Sequence, residues 1–241
     1  MLTVKIRRSP EVEGGRARYD TFRVALEPKM SVLDVVAQIQ SAQDPTLAFR
    51  YSCRAGMCGT CSMRIDGRNR WSCRTAAAPW AGRTLTLEPL QNLPVIRDLA
   101  VDMAPFFARY RGVVDRFIPA DPGRGDFARI AQQSRERTEI NRHVECITCG
   151  NCFASCGFVA GNKGFPGPAA LNRAFALIVD SRDGATGRRL DALNGHAGVW
   201  GCHTQFNCME ACPMGISPTR AIQKLKRREV GHALTRFLRR A

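Results

Sequence analysis

Apolar and polar residues alternate in the N-terminal part of the chain as half-buried strands require. This alternation predicts strands at Leu2–Arg7, Phe22–Leu26, Ser62–Ile65 and Thr84–Leu87. After the second of these, Ser31 and Asp34 form a helix-capping signal. The helical apolar face that follows comprises Val32, Leu33, Val35, Val36 and Ile39. The pattern therefore predicts a sheet crossed by one helix.

The pattern changes after residues 89–105, which are interpreted as a connection because strand signals vanish beyond them. Helical periodicity predicts helices at Met103–Asp115, Phe127–His143 and Ala169–Asp180. A last helix opens at Ser217-Pro218, with proline at its first position. Its apolar residues are expected to share one face: Ala221, Ile222, Leu225, Leu234, Phe237 and Leu238. We therefore predict an α+β protein with a β-rich domain at 1–104 and an all-α domain at 105–241.

The charge balance is 36 basic against 21 acidic residues, a net charge of +15. Nucleic-acid binding is disfavoured, because the arginines are scattered and aromatic content is only 7%. Docking to acidic proteins or to an anionic membrane face is favoured. The longest apolar run, Ala174–Val179, is too short to span a membrane, and no secretory signal opens the chain. A cytoplasmic location follows, where clustered cysteines are more often metal ligands than disulfides.

Eleven cysteines occur in three groups. The first has Cys53, Cys58 and Cys61 on one loop, with Cys73 further on. This spacing is the plant-type [2Fe–2S] pattern. Gly56 and Gly59 let the loop approach the irons and leave N–H groups for the sulphurs. Structural zinc is the alternative, but it prefers two pairs of closely spaced cysteines.

The second and third groups resemble the paired cysteine runs of two-cluster ferredoxins, in which the fourth cysteine of each run binds the other cluster. One [4Fe–4S] cluster is therefore assigned to Cys146, Cys149, Cys152 and Cys212. The other cluster is assigned to Cys156, Cys202 and Cys208, with position 205 as the remaining place. Position 205 is Gln205, whose amide oxygen suits iron poorly. This predicts a [3Fe–4S] cluster; Gln205 as a weak fourth ligand is the alternative.

Several stretches, some of them outside the ligand loops, resemble the iron–sulphur subunit of succinate dehydrogenases and fumarate reductases. They are SCRAGMCGTCSMRIDG (52–67), SCRT (72–75), LEPLQNLPVIRDLAVDM (87–103), CITCGNCFASC (146–156), AALNRAFALIVDSRD (169–183) and GCHTQFNCMEACPMGISPTRAI (201–222). The resemblance implies a β-grasp plant-type ferredoxin domain (1–104) followed by a helical-ferredoxin domain (105–241).

The resemblance also implies that the chain carries electrons. A flavoprotein subunit with FAD would interconvert succinate and fumarate. Electrons would pass through [2Fe–2S], [4Fe–4S] and [3Fe–4S] to a quinone at a membrane anchor subunit. No residue of this chain is assigned to the carbon chemistry, so no catalytic residue is expected. The chain would lie peripherally on the cytoplasmic face of the inner (plasma) membrane, held by its partners.

Two features concern the quinone end. His203 matches a histidine found near quinone in part of the family; packing beside the cluster is the alternative. Many ubiquinone-reducing members carry a proline and paired tryptophans after the cysteine at position 156, whereas this chain continues with Gly157-Phe158-Val159. This departure favours menaquinone and haem in the anchor. Trp200 is expected to be core packing, and the basic helix over 224–240 a contact with the anchor or a solvated surface.

Two alternatives remain. One is the iron–sulphur subunit of another flavoprotein, of glycolate or heterodisulfide type, but such subunits commonly keep four cysteines per cubane and lack a β-grasp domain. The other is a basic zinc protein that binds nucleic acid. It would be colourless, whereas an iron–sulphur protein is brown.

Overall fold

The alternating N-terminal residues form a five-stranded mixed sheet. The computed structural model describes residues 1–12, 14–113, 116–123 and 129–239. The strands are β1 (Leu2–Arg8), β2 (Arg18–Val24), β3 (Ser62–Ile65), β4 (Arg68–Trp71) and β5 (Thr84–Glu88), in the order β2-β1-β5-β3-β4. β1 and β5 are parallel, and the other neighbours are antiparallel. A short pair, β6 (Val95–Arg97) and β7 (Ala100–Val101), follows.

Helix α1 (Val32–Ala42) covers this sheet through the apolar face expected from the sequence. Val32, Val35, Val36 and Ile39 are fully buried in one cluster with the inward residues of β1 and β5. The predicted cap is present: Ser31 Oγ accepts a hydrogen bond from Asp34 N, and Ser31 N donates to Asp34 Oδ2. Both otherwise unpaired N–H groups at the start of the helix are thus satisfied.

Three strand assignments differ from the sequence prediction. β2 runs from Arg18 to Val24 instead of Phe22 to Leu26, because its exposed first residues also pair with β1 and the pairing ends at Leu2 and Val24. β4 was not predicted: its outward residues are arginines, and it pairs with β3 across a turn in which Asp66 and Gly67 both have positive φ. The connection after residue 89 contains β6 and β7, so strand structure does not end there.

The other α-helices of the described residues begin at Ala104 or later. They are α2 (Ala104–Val113), α3 (Arg135–Val144), α4 (Asn151–Ala154), α5 (Gly157–Gly161), α6 (Pro168–Ile178), α7 (Thr186–Leu193), α8 (Asn207–Glu210) and α9 (Pro218–Leu238). Helix α6 is buried along nearly its whole length and packs against α3, α7 and α9. None of the helices in the described ranges is long and apolar enough to cross a membrane.

Two compact units divide the chain. The first comprises Met1–Pro105 and Ile147–Ser155, and the second comprises Phe106–Cys146 and Cys156–Ala241. The sequence-based limit after residue 104 lies one residue from this division. Segment 147–155, however, which was expected in the second domain, groups with the first. Asn69 of β4 holds it there by donating to Ser155 Oγ, and Asn92 donates to the carbonyl of Ala154.

Two helix predictions need correction. The helix expected at 127–143 begins at Arg135, because Ser134 Oγ accepts from Arg137 N and caps it there. Phe127 lies outside the described residues, as does Asp115, the expected end of α2.

The apolar residues of α9 do not share one face, contrary to the sequence prediction. Ala221, Ile222 and Leu225 are buried, whereas Leu234, Phe237 and Leu238 are 57–68% exposed. Leu234 follows Leu225 by nine residues, or about two and a half turns, which places it on the opposite side of the helix. Arg240, the expected end of the basic segment, lies outside the described residues.

A buried ion pair fixes the turn between α6 and α7 in the second unit. Arg189 Nη2 lies 2.8 Å from Asp183 Oδ2, and both side chains are almost fully buried. Asp183 also accepts from Ile118 N and Ala185 N, and Arg189 donates to the carbonyl of Arg116. The pair thus joins three stretches of chain.

We predict that Arg189→Met destabilises the second unit strongly, because Asp183 would be left as a buried charge without its partner. Removing one member of such a pair costs about 3–5 kcal/mol. The midpoint of helix loss in far-UV circular dichroism should fall by about 6 °C or more. Arg236→Met is the matched control, because the Arg236–Asp191 pair is about half exposed and should contribute about 0–1 kcal/mol. Equal shifts in the two variants would contradict the assignment.

Candidate iron–sulphur centres

The four thiols of the first cysteine group come together at one end of the β3–β4 hairpin: Cys53, Cys58 and Cys61 precede β3, and Cys73 follows β4. The Cys53 and Cys58 side chains are hydrogen-bonded to each other, as are those of Cys61 and Cys73. β3 and β4 run antiparallel, so the pairing of these strands brings distant Cys73 back to the loop. This is the role expected of a fourth ligand that arrives from a neighbouring strand.

The backbone around Cys53 is arranged for a negatively charged sulphur. Cys53 Sγ accepts hydrogen bonds from the N–H groups of Ala55, Met57 and Cys58 at 3.3–3.4 Å. These bonds, with that of Ala55 the largest contribution, lower the pKa of Cys53 to about 6. Burial, by contrast, raises the pKa of Cys73 to about 11. Iron bound at Cys73 would therefore have to displace a proton from its thiol.

Two positions of the first cysteine loop require glycine because of their backbone conformation and the atoms close to them. Gly56 and Gly59 have φ of 75° and 70°, in the left-handed region. A Cβ at Gly59 would clash with the Cβ of Cys149 and lie 2.9 Å from its Cα. The first cysteine loop and segment 147–155 therefore meet within the first unit at a place where only hydrogen fits.

The second and third cysteine groups have the same local backbone, although their sequences differ. Thr148 and Thr204, each two residues after the first cysteine of the group, have φ of 53° and 61°. Gly150 and Phe206, each four residues after it, are also left-handed. A four-residue helix follows in each group, α4 or α8, and its second residue is a cysteine, Cys152 or Cys208, six residues after the first cysteine. The backbone thus gives each position of one group an equivalent in the other.

Gln205 is equivalent to Cys149 in this comparison. Its side chain is exposed, and its Oε1 lies 3.3 Å from the point that a Cβ at Gly157 would occupy. The loop therefore has the conformation of a ligand loop, with an amide where the equivalent position has a thiol.

The three thiols assigned to the three-iron centre all lie in the second unit and influence one another. The charge of Cys202 acts on Cys156, and the charges of Cys156 and Cys202 act on Cys208. Burial is the main cause that raises the pKa of Cys156 and of Cys208. Iron bound at Cys156 and Cys208 would therefore have to displace the protons of these two thiols.

The four cysteines assigned to the cubane are divided between the units. Cys149 and Cys152 belong to the first, and Cys146 and Cys212 belong to the second. Their assignment to one cluster therefore stays a prediction from sequence.

Buried polar atoms close to the cysteines could donate hydrogen bonds to a bound iron–sulphur cluster. Asn151, beside Cys152, is fully buried, and neither its amide nitrogen nor its oxygen has a hydrogen-bond partner. Trp71 Nε1 and Ser62 Oγ, both close in sequence to cysteines of the first group, are likewise buried and unpartnered. Cluster sulphurs accept hydrogen bonds from such donors. In the described residues no three His, Cys, Asp or Glu side chains converge as a site for a single metal ion requires.

Helix α9 supports the third cysteine group through three residues that the sequence analysis missed. Thr219 Oγ1 lies 3.2 Å from Cys208 Sγ, and Gln223 Nε2 donates to Thr204 Oγ1. Lys226 Nζ donates to the carbonyl of Cys202 at 2.7 Å. Their spacing of four and three residues places them on one face of the helix. The sequence signal for this contact is a set of polar residues at helical spacing directly after a cysteine group.

Two residues of the predicted quinone end lie in the second unit as well. His203 is exposed, and its ring stacks on Phe158 with centroids 4.5 Å apart. The expectation that Trp200 is core packing is wrong, because Trp200 is 38% exposed. Lys226 Nζ lies 5.4 Å from the Trp200 ring centroid, a cation–π contact that replaces burial.

We predict that Gly59→Ala removes most of the visible absorbance of the plant-type cluster, because the added Cβ clashes with Cys149 and the left-handed φ is strained. Gly67→Ala is the matched control: its φ is 79°, but its Cβ would meet nothing nearer than Arg64 Nη2 at 4.0 Å. Gly67→Ala therefore has the strain of the left-handed φ without a clash, which should cost about 1–2 kcal/mol of stability. Visible circular dichroism and iron content per chain distinguish the variants. Equal cluster loss in both would show that the contact with Cys149 is unimportant.

Comparison with known proteins supports a [2Fe–2S] domain and a [4Fe–4S] domain in this chain. A family model for a 2Fe-2S iron-sulfur cluster binding domain matches residues 3–108, and one for a 4Fe-4S dicluster domain matches residues 143–216. A chain of the Mycobacterium smegmatis Sdh1 complex in the apo form has a TM-score of 0.85 at 28% identity, with 95% of each chain covered. The predicted α+β class, with an N-terminal [2Fe–2S] ferredoxin domain and a C-terminal helical ferredoxin domain, is confirmed.

Three curated relatives are similar over most of the chain. The succinate dehydrogenase [ubiquinone] iron-sulfur subunit 1 of Oryza sativa is 40% identical, over 81% of this chain and 70% of its own. The succinate dehydrogenase iron-sulfur subunit of Paracoccus denitrificans is 37% identical over 88% and 82%. The fumarate reductase iron-sulfur subunit of Mycobacterium tuberculosis is 34% identical over 95% and 92%. The chain therefore belongs to the family of succinate dehydrogenase and fumarate reductase iron–sulphur subunits.

Proposed function

We propose that this chain carries electrons between FAD on a flavoprotein subunit and a quinone at a membrane anchor subunit. The chain would pass them singly through a [2Fe–2S], a [4Fe–4S] and a [3Fe–4S] cluster. Succinate and fumarate would react on the flavoprotein, so this chain supplies no catalytic residue. It would lie on the cytoplasmic face of the inner membrane.

The single observation that carries the proposal is the shared backbone of the second and third cysteine groups. If the two loops are equivalent, Gln205 stands where Cys149 is a ligand. The eleven cysteines then divide into Cys53, Cys58, Cys61 and Cys73; Cys146, Cys149, Cys152 and Cys212; and Cys156, Cys202 and Cys208. Loss of one thiolate is most simply met by loss of one iron, which supports a three-iron cluster in the third set.

The residues of this chain tune and protect the clusters. A bound cluster stores one electron reversibly, at a potential set by charge, hydrogen bonds and exposure. Backbone N–H groups aimed at Cys53 stabilise charge on that sulphur. Cys208 is buried, which limits access of water to its sulphur, and Thr219 Oγ1 lies 3.2 Å from that sulphur.

His203 is the residue proposed for the quinone end. It adjoins Cys202, and its exposed ring is held by stacking on Phe158. An imidazole in this position can donate to a quinone carbonyl oxygen. Phe158 lies two residues after Cys156, where many ubiquinone-reducing relatives have tryptophans, and we propose menaquinone and haem in the anchor on this ground.

The two alternatives have less support. A subunit of a glycolate- or heterodisulfide-type enzyme would be expected to carry four cysteines per cubane, whereas this chain has Gln205 at one of the expected cysteine positions. A zinc protein that binds nucleic acid would need two cysteine pairs and clustered stacking aromatics. No observation on the described residues favours either one.

We predict that Gln205→Cys converts the three-iron cluster to a four-iron one, because it restores the thiolate at the position equivalent to Cys149. Iron should rise from about nine to about ten per chain, and the low-temperature paramagnetic signal of the oxidised three-iron cluster should disappear. Gln205→Ala is the control, which should keep that signal. If Gln205→Ala instead lost a cluster and Gln205→Cys changed nothing, Gln205 would be a ligand and the proposal would fail.

We predict a second effect at the same cluster from Lys226. Lys226→Met removes a positive charge that is hydrogen-bonded to the carbonyl of Cys202, and adding an electron nearby becomes less favourable. The three-iron potential should fall by an amount on the order of tens of millivolts. Lys226→Arg keeps the charge and should leave the potential near its original value. A redox titration followed by paramagnetic resonance measures both; a potential unchanged in Lys226→Met would exclude this role.

A further inference from the structure

A basic groove of about 1080 Å³ runs between α3 and the first half of α9 in the second unit. Six cationic side chains line it: Arg135, Arg142, Arg220, Lys224, Arg227 and Arg228. One carboxylate, Glu139, also lines it, and its Oε1 lies 2.6 Å from Lys224 Nζ. Hydrogen bonding to Lys224 is the main cause that lowers the pKa of Glu139, so this carboxylate is ionised and already paired.

The five arginines of the groove, in contrast, form no ion pair among the described residues, although the charges of Arg135 and Arg228 also act on Glu139. In the described part of the chain none of them lies within ion-pair distance of a carboxylate. Arg227 and Arg228 are exposed, as are Arg220, Arg135 and Arg142. Arginine is the side chain best suited to phosphate, because its planar fork can donate two hydrogen bonds to the same group. The groove therefore offers several sites for phosphate that nothing within the described chain fills.

An apolar stripe continues from the groove along the second half of α9. Val230, Leu234, Phe237 and Leu238 are 57–68% exposed, and their spacing of four, three and one residues places them on one face. Val230 follows Arg227 by three residues and Leu234 follows it by seven, so the stripe shares a side of the helix with that groove residue. The buried residues Ala221, Ile222 and Leu225 lie on the opposite side.

One side of α9 thus carries arginines in its first half and large apolar residues in its second half. The helix has 21 residues and is about 30 Å long. A helix of this kind lies in the plane of a membrane interface, with cations at the headgroups and apolar side chains among the acyl chains. A lipid surface offers this helix both features that it needs, namely negatively charged headgroups and, beneath them, hydrocarbon chains. The net charge of +15 also favours binding to an anionic surface.

We propose that the outward side of α9 binds directly to an anionic phospholipid surface. Lipid phosphates occupy the groove at Arg220, Arg227 and Arg228, while Leu234 and Phe237 enter the acyl region. This inference rests on the proposed function only in placing the chain at a membrane. It adds a lipid contact of the chain's own to attachment through partner subunits, and it assigns a role to the exposed half of α9.

The test is co-sedimentation of the full chain, purified anaerobically with its clusters, with two kinds of vesicle. One kind is phosphatidylcholine alone, and the other contains about one third phosphatidylglycerol. The proposal expects binding to the anionic vesicles that weakens as salt is raised. No binding above that to neutral vesicles would overturn it.

Two double variants separate charge from apolar contact. Arg227→Gln with Arg228→Gln should lower the vesicle partition coefficient about 25-fold, since each cation near an anionic surface contributes about fivefold. Leu234→Ser with Phe237→Ser should lower it about tenfold or more. Both variants change exposed residues, and iron content with far-UV circular dichroism checks their integrity.

Matched controls come from exposed residues of the first unit. Arg23→Gln with Arg50→Gln removes the same charge, and Val12→Ser with Ile96→Ser removes comparable apolar surface. Both should bind nearly as the unchanged chain does. If the arginine control fell as far as the groove variant, binding would follow net charge alone and the proposal would be overturned.

Two further outcomes would also overturn the lipid contact. The stripe variant could bind vesicles as well as the unchanged chain, or the unchanged chain could dimerise through the stripe while the variant stays monomeric. The first outcome would show that the stripe does not contact lipid, and the second that another copy of this chain covers it. If vesicle binding failed while the three-iron signal was present, the lipid contact would be wrong and the electron-transfer proposal would stand. If that signal was absent while vesicles were bound, the electron-transfer proposal would fail and the lipid contact would stand.

Discussion

A cysteine sulphur that carries negative charge inside a protein must be met by hydrogen-bond donors and metal, and the loops of this chain are shaped by that requirement. Three backbone N–H groups converge on Cys53 because the loop turns through the left-handed residues Arg54 and Gly56. The second and third groups use left-handed residues at equivalent places. The sheet and the helices then hold these loops in position: β3 and β4 bring Cys73 back to the first group, and α9 supports the third.

Helix α9 shows how one element serves two purposes. Its inner side buries Ala221, Ile222 and Leu225, and beside them Thr219, Gln223 and Lys226 contact the third cysteine loop. Its outer side carries the basic groove and the apolar stripe. A cluster loop and a proposed lipid contact thus share a rigid rod of about 30 Å. The same helix therefore links the end of the proposed electron path to the surface at which a quinone would arrive.

Sequence alone was sufficient where chemistry demands a fixed spacing. The cysteine groups, the capping box at Ser31 and Asp34, and strand β3 could all be predicted, because ligand geometry, orphan N–H groups and strand alternation each leave a local signature. β4 could not be predicted from alternation, since its exposed residues are arginines and its pairing partner decides its structure. The face of α9 was misjudged because apolar residues in both halves were counted as one set, although nine residues separate Leu225 from Leu234. Thr219, Gln223 and Lys226 were missed because a helix–loop contact depends on tertiary packing.

The division of eleven cysteines into sets of four, four and three is the claim on which the functional account depends. Low-temperature paramagnetic resonance on the anaerobically purified chain, oxidised and then reduced, with an iron assay alongside, tests it most directly. The account predicts about nine irons per chain and a three-iron signal present only in the oxidised sample. About ten irons with no such signal would contradict it, because position 205 or an outside ligand would then complete a second cubane.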